Sequence, residues 1–326
     1  MTIVSTTWND EAELQEIITR LQAPDSTVRS IALRDLADIA GDEHAPLLID
    51  ALRDPAAAVR VEAARALEAF ESAAGVTALV TALGDEADAV REAAAQTLSE
   101  LKQPESGAAL LPHAGAGTAF ARAAVLRALR ELRVPGSLVP ALAALGDADA
   151  LVRREAITVL GYLKQAEALA ALTGIAGSDP EPEVRRAALG ALGYASGDTV
   201  LAALLAGLAD PSWQVREEAA TTLGKLRLVG AATQLIAALD DDYWQVRLRA
   251  ARSLGRLRLA AAVPALVALL EHTISNLRKE SALALGEIGD ASALPALAVT
   301  SDDPDPEVRK AARLALGQIQ AAAQRG

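Results

Sequence analysis

The sequence contains no cysteine, which removes disulfides, thiolate nucleophiles and cysteine metal ligands together and fits a reducing compartment. Histidine is nearly as rare, with His44, His113 and His272 the only three. Aromatic residues number eight in 326: three Trp, three Tyr and two Phe. With 52% of the chain apolar, any core has to be built from Ala, Leu, Val and Ile. Long hydrophobic runs are missing too. The longest, from Leu259 to Leu270, is 12 residues and carries Pro264, whereas a membrane-spanning helix needs about 20. The amino terminus lacks the basic start and apolar run of a secretory signal, so a cytoplasmic protein without a membrane partner is expected. Positive charge is in deficit, with 31 basic residues against 43 acidic ones. Residues 1–105 hold 20 acids and eight bases, and the remainder of the chain is balanced. The whole negative excess therefore lies in the first third, which disfavours nucleic acid or an anionic membrane there. A well-solvated surface is the expected use of that charge.

What the chain does have is a period. Arginine recurs at Arg29, Arg60, Arg91, Arg122, Arg153, Arg185, Arg216, Arg247, Arg278 and Arg309. Eight of the nine steps are 31 residues, and Arg153 to Arg185 is 32. A fixed period of this length marks a stacked-repeat architecture. Within one period an apolar run such as TQLIAALD is followed by a turn and then by V-R-x-x-A-A-x-x-L-G-x-L, with its apolar residues at helical spacing. Asp stands six residues before the arginine at Asp54, Asp85, Asp147, Asp179, Asp210, Asp241 and Asp303, and Pro55, Pro180, Pro211 and Pro304 follow it. Four residues before the arginine, Asp25, Asp149, Ser212 and Asp305 can cap the second helix, and Pro182 and Pro306 fit its first turn. Each period reads as one helical hairpin. The arginine slot is expected to serve as scaffold, with charged hydrogen bonds between turns and successive second helices.

The D-P turn, the Val-Arg pair and the A-A-x-x-L-G tail, clearest in 210–226 and 303–319, resemble the HEAT-repeat superfamily and in particular the short HEAT-like repeats of the phycobilin (PBS) lyase type. The resemblance covers essentially the whole chain and implies an all-α fold, a right-handed solenoid of about ten helical hairpins. Ten layers at about 8–10 Å each would give a body of roughly 80–100 Å. Such repeats serve unrelated functions, so the fold alone does not assign one.

Taken in order, residues 1–10 read as a loose lead-in, with Trp8 as a cap over the first hairpin. Residues 11–105 are the three acidic repeats. Residues 106–134 form a degenerate fourth repeat, its first helix broken by Pro112, its turn aspartate replaced by Ala116 and its turn loosened by Gly115 and Gly117. Residues 135–326 are repeats five to ten. The position after the last core leucine holds Ala37, Glu68, Ser99 and Arg130 in the first four repeats. From there on it is Gly161, Gly193, Gly224, Gly255, Gly286 and Gly317, read as helix C-caps or close-packing positions. Repeat four thus separates two sub-arrays and is a candidate hinge.

Departures from the repeat pattern point to a surface on repeats six to eight. Trp213 and Trp244 share a slot three residues before the arginine, with Tyr243 beside the second. Lys225 and Arg256 share another slot, occupied by Tyr162 and Tyr194 in the two preceding repeats. Arg227, Arg249, Arg252 and Arg258 add positive charge. Aromatic and arginine enrichment is the composition of binding hot spots, so Trp213, Trp244, Tyr243, Lys225, Arg249, Arg252 and Arg256 form the candidate partner site. The structural alternative is cladding, with the arginines paired to carboxylates such as Glu217 or Glu218.

Catalytic constellations are scarce. HEAT-fold di-iron hydroxylases carry His-Glu pairs, whereas this chain has Glu43-His44 and Glu271-His272 in the opposite order. HEAT-like DNA glycosylases have basic grooves, against which the acidity argues. No phosphate loop, nucleophile elbow or zinc spacing occurs. The expected function is a protein-interaction scaffold using its concave face, with no cofactor, no metal and no nucleic acid. Its partner would be another protein with an acidic or apolar docking segment. The resemblance also implies two alternatives: a lyase-like protein holding an open-chain tetrapyrrole, with propionates on Arg249, Arg252 and Arg256 and rings on Trp213 and Trp244, or a dedicated assembly chaperone. Repeat four should be the least stable segment, because it combines a broken first helix with a missing turn aspartate. In native-state hydrogen exchange, amides of 106–118 should exchange faster than those of 230–257, and equal protection would overturn that ranking.

Overall fold

Each period folds as the sequence pattern requires, into two packed helices joined through the D-P turn. The computed structural model describes residues 4–39 and 41–323, apart from the side chains of residues 4–11 and residue 42. Contacts divide the chain into two units, residues 1–163 and 164–326, each holding five hairpins. In the first unit the hairpins are Val4–Arg20 and Ser26–Ile39 (α1, α2), Ala45–Ala51 and Ala57–Ala66 (α3, α4), Ala73–Ala82 and Asp88–Ser99 (α5, α6), Pro104–Leu110 and Ala119–Leu132 (α7, α8), and Leu138–Ala144 and Ala150–Leu163 (α9, α10). In the second they are Leu169–Ser178 and Pro182–Ala191 (α11, α12), Leu201–Leu208 and Trp213–Leu226 (α13, α14), Ala232–Ala237 and Trp244–Leu257 (α15, α16), Val263–Leu269 and Ser275–Ile288 (α17, α18), and Leu294–Thr300 and Pro306–Ala323 (α19, α20). No strand occurs among the described residues, and the fold is an all-α solenoid. Helix α1 already covers residues 4–10, where a loose lead-in was expected. The capping contact expected of Trp8 lies outside the described residues.

The core repeats as faithfully as the sequence. The leucine seven residues after the ladder arginine is buried in hairpin after hairpin, as Leu36, Leu67, Leu98, Leu129, Leu160, Leu192, Leu223, Leu254 and Leu285. The paired alanines, such as Ala219 and Ala220 or Ala250 and Ala251, are fully covered. Within each unit the second helices pack on one another along the row, whereas neighbouring first helices, α5 and α7 excepted, touch much less. The second helices therefore form the inner side. Three of the four expected helix caps are made: Asp25, Asp149 and Asp305 accept from backbone amides of the first turn. Ser212 does not, because its hydroxyl donates to Gln214 Oε1 at 2.7 Å instead.

The ladder is a set of bidentate ion pairs between successive repeats. The guanidinium of Arg29 donates through Nε and Nη2 to Asp54, that of Arg60 to Asp85, Arg122 to Asp147, Arg185 to Asp210, Arg216 to Asp241 and Arg278 to Asp303, at 2.7–2.9 Å. Its third nitrogen, Nη1, reaches back to turn carbonyls of its own repeat, as from Arg216 to Asp210 and Pro211. The aspartate is equally occupied: Oδ1 also accepts the amide two residues on, Asp54 from Ala56 and Asp241 from Tyr243. One rung thus ties a helix start, its own turn and the next turn. The charged hydrogen bond from Arg29 holds the Asp54 carboxyl below its ordinary value, and Arg60, Arg122 and Arg278 do the same to Asp85, Asp147 and Asp303. At Asp210 and Asp241 burial pushes upward most strongly, but the arginine and the turn amide together outweigh it.

Two rungs depart from the pattern. Arg91 faces repeat four, where Ala116 stands in the aspartate slot, and takes Asp88 of its own helix instead. Repeat four is tied in elsewhere by Glu71, which accepts from the amides of Lys102 and Gln103 at 2.8 and 2.9 Å. Arg247 faces His272, whose Nε2 lies 3.1 Å from its Nη1 while Nδ1 accepts from the Ile274 amide at 3.0 Å. The imidazole copies both contacts of an aspartate with half the means. A neutral ring has one acceptor nitrogen, so one of these two contacts sets a donor against a donor.

At Gly224, Gly255 and Gly286 the recurrent glycine is a packing position, not a helix cap. An added Cβ at Gly224 would lie 2.8 Å from the Ser253 Cα, and at Gly255 2.9 Å from the Ala284 Cα. Gly286 meets Ala315 Cα of the next helix in the same way. The left-handed cap falls three residues later, at Arg133, Lys164, Arg227, Arg258 and Gly289.

Removing a complete rung should cost stability without a rearranged fold. Arg216→Ala leaves the Asp241 carboxylate short of two donors and should destabilise by about 1–3 kcal/mol in denaturant titration. Because the ladder aspartates titrate lower folded than unfolded, their stabilisation is complete above the ordinary value of 3.8. It is lost as the pH falls through the depressed folded values. The Arg216→Ala deficit should therefore shrink below about pH 4. Conversely, His272→Asp restores the second acceptor and should raise stability by about 1 kcal/mol. An unchanged or lower midpoint would show that the imidazole rung is already satisfied.

Candidate functional site

The residues singled out from sequence all lie in the second unit, but the helices separate them. Trp213 and Trp244 open α14 and α16, while Lys225 and Arg256 lie near the other ends of the same helices. Twelve residues of helix put Trp244 and Arg256 about 18 Å apart along the axis. Gln245, Arg249, Arg252 and Arg256 follow one another at helical spacing along α16 and share a face. The candidate site is thus an aromatic end and a basic end joined by an arginine stripe.

At the aromatic end the two tryptophans have different neighbours. Trp213 stacks on Tyr243, with ring centroids 5.5 Å apart and planes inclined by 14°. The ladder guanidinium of Arg216 also lies over the Tyr243 ring, 5.7 Å from its centroid. Trp213 and Tyr243 therefore clad a rung. Trp244 does not join that stack and remains 37% exposed. It forms a wall of a pocket of about 390 Å³ on the inner side, whose other lining includes Gln245, Leu248, Asn276, Lys279 and Leu283. The Gln245 Oε1 atom is buried there without a hydrogen-bond partner.

The arginine stripe is already engaged. Arg249 Nε donates to Glu217 at 2.9 Å, the pairing considered from sequence. Arg252 binds Glu280 bidentately at 2.7 and 2.8 Å, and that hydrogen bond raises its guanidinium above the usual value. The second pair is part of an inner ladder that sequence reasoning missed. Arg34 pairs with Glu62 and Arg127 with Glu155 at the same spacing, five residues after one ladder arginine to two after the next. Glu155 and Glu280 are themselves buried. A constant interval of 28 residues from Arg to Glu was the available signal. Where Gly190 replaces the arginine, Glu218 leans over its Cα, and burial raises its carboxyl above the ordinary value.

The basic end is built differently. Lys225, Arg227, Arg256 and Arg258 are all exposed. Arg227 closes α14 with a 6→1 hydrogen bond from the Leu228 amide to the Leu223 carbonyl, and its φ is 54°. Arg258 closes α16 at φ 51°. A non-glycine residue there costs about 1 kcal/mol relative to glycine. In the first unit the equivalent Arg133, together with Arg130, packs over the Tyr162 ring at 5.6–5.9 Å. Among the described residues no cluster of ligating side chains could hold a metal ion, and no helix is long and apolar enough to cross a membrane.

The comparisons with known proteins agree with the repeat geometry. The family model for HEAT repeats matches residues 13–81, 45–130, 118–193, 175–246 and 232–317. The chain belongs to the HEAT-repeat family. No curated protein matches the sequence. Among solved structures, an engineered protein is similar with a TM-score of 0.53 and 23% identity, over 94% of this chain and 99% of that one. The Kap95:Nup1 complex is similar with a TM-score of 0.65 and 15% identity over 95% of this chain. Kap121p bound to Nup53p is similar with 0.60 and 16% over 96%. The chain spans only 51% and 41% of the length of those two proteins. At these identities the likeness shows the fold.

Proposed function

We propose that the protein is a non-catalytic HEAT-repeat scaffold that binds a segment of another protein on the inner face of repeats seven to nine, without a cofactor. The observation that carries this reading is the pocket beside Trp244. Ladder positions look alike from repeat to repeat because each hairpin solves the same packing problem, and Trp244 departs from the small residues of that slot, such as Ala57, Ala119 and Ala150. It is an exposed aromatic flanked by Leu248 and Leu283, which suits an apolar side chain of a partner. The unpaired Gln245 oxygen suits a partner N–H, and a donor placed there removes a standing desolvation cost. Kap95 in complex with Nup1 and Kap121p bound to Nup53p are proteins of this fold with protein partners, which supports the class of function.

No specific observation favours the tetrapyrrole alternative, since Arg249 and Arg252, assigned to its propionates, are held by Glu217 and Glu280. An assembly chaperone would be one form of the same scaffold. A cytoplasmic location is in keeping with the absence of cysteine.

The test is Trp244→Ala in the full-length protein, with partners recovered from the source cells by native pull-down and quantified by mass spectrometry. Trp244 lies outside the stack, so the melting temperature should hardly move, while the specific partner should be depleted at least about tenfold. A folded variant that retains every partner would place the binding surface elsewhere.

A further inference from the structure

The basic ends of α14 and α16 are a second surface, separate from the pocket. Lys225, Arg227, Arg256 and Arg258 are exposed there in two adjacent repeats. Among the described residues none of the four has a carboxylate at ion-pair distance. The ladder arginines, such as Arg216 and Arg252, are by contrast held by carboxylates of the neighbouring repeat. Lys225 folds across Gly193, and Glu287 of α18 lies against Gly255.

The second observation is conformational. Arg227 and Arg258 occupy left-handed backbone at φ 54° and 51°, where the next repeat uses Gly289 at φ 80°. Glycine would do the capping with less strain. Favourable placement of a cation at a helix C-terminus explains basic residues in the last turn, which Lys225 and Arg256 already supply. It does not call for a second, strained one just beyond. In the first unit Arg133 accepts the same strain and covers the ring of Tyr162, whereas Arg227 and Arg258 have no ring contact among the described residues.

We propose that this edge docks an extended acidic segment of a partner protein. Guanidinium groups take isolated carboxylates in forked pairs, and successive repeats present them about 10 Å apart. A segment in the polyproline II form advances about 3.1 Å per residue with three residues per turn, so carboxylates at every third position share one face and meet the arginines of adjacent repeats. A nucleic-acid strand is the poorer occupant, since a continuous phosphate backbone would run from four cations onto a part of the chain that carries no net positive charge.

The experiment uses the full-length protein and a fluorescent peptide of repeated Glu-Ser-Ala, followed by anisotropy. Binding is expected at low salt and should weaken by about tenfold or more at high salt. The double variant Arg227→Gly with Arg258→Gly should melt higher than the parent, because glycine relieves the left-handed caps, and yet lose at least about tenfold in affinity. Lys225→Ser with Arg256→Ser, which leaves the caps alone, should lose affinity to a similar extent and decides the matter if the first variant folds poorly. Trp244→Ala should bind the peptide normally, so failure here is distinguishable from failure of the pocket. The proposal is overturned if the charge variants bind as tightly as the parent, if a peptide with Lys in place of Glu binds equally well, or if duplex DNA binds and the acidic peptide does not.

Discussion

The structure depends on one interaction, the forked contact between the arginine at the start of a second helix and the aspartate of the following turn. A helical hairpin of 31 residues cannot bury its own apolar faces, and stacking supplies the missing cover. Apolar burial is non-directional, however, and alanine-rich surfaces would slide. The rung fixes register because a planar guanidinium and a planar carboxylate accept each other in one geometry, with the remaining nitrogen committed to the arginine's own turn. The aspartate then orders the next turn through an amide. Each repeat is thus positioned by its predecessor and positions its successor.

Within that frame, function can reside only where positions are released from the frame. The inner arginines illustrate the discipline required. Arg249 and Arg252 have the composition of a binding site, but their partners are Glu217 and Glu280. What is left over is smaller and divided: an aromatic pocket with an unpaired amide oxygen at one end of the inner helices, and unpaired cations at the other. One serves apolar contact and the other charge, so a single partner reaching both would have to present an apolar anchor and an acidic stretch about 18 Å apart.

The period, the helix pairs, the turn caps and the arginine ladder were legible because each repeats at a constant interval and has a local cause. The close-packed glycines were visible as a pattern but ambiguous, since glycine serves both a helix cap and a helix crossing. Only the positions of Ser253, Ala284 and Ala315 against Gly224, Gly255 and Gly286 distinguish them. The stacking of Trp213 on Tyr243, in place of a shared surface with Trp244, was not legible. The two tryptophans occupy the same slot, and their difference arises from what the following turn supplies. Repeats six to eight depart from the repeat pattern, but such a departure does not say whether the residue faces solvent or clads a neighbour.

The junction between repeats eight and nine has an asymmetry with a mechanical meaning. On the turn side Arg247 meets an imidazole that can satisfy one of its two contacts. On the inner side Arg252 grips Glu280 through two hydrogen bonds. A joint fastened firmly along one edge and loosely along the other behaves as a door on its hinge, with the inner salt bridge as the pin. The Trp244 pocket lies on the pin side, lined by Arg252 and Glu280 themselves, away from the looser turn edge. A compliant array can in this way keep a recognition surface of constant width.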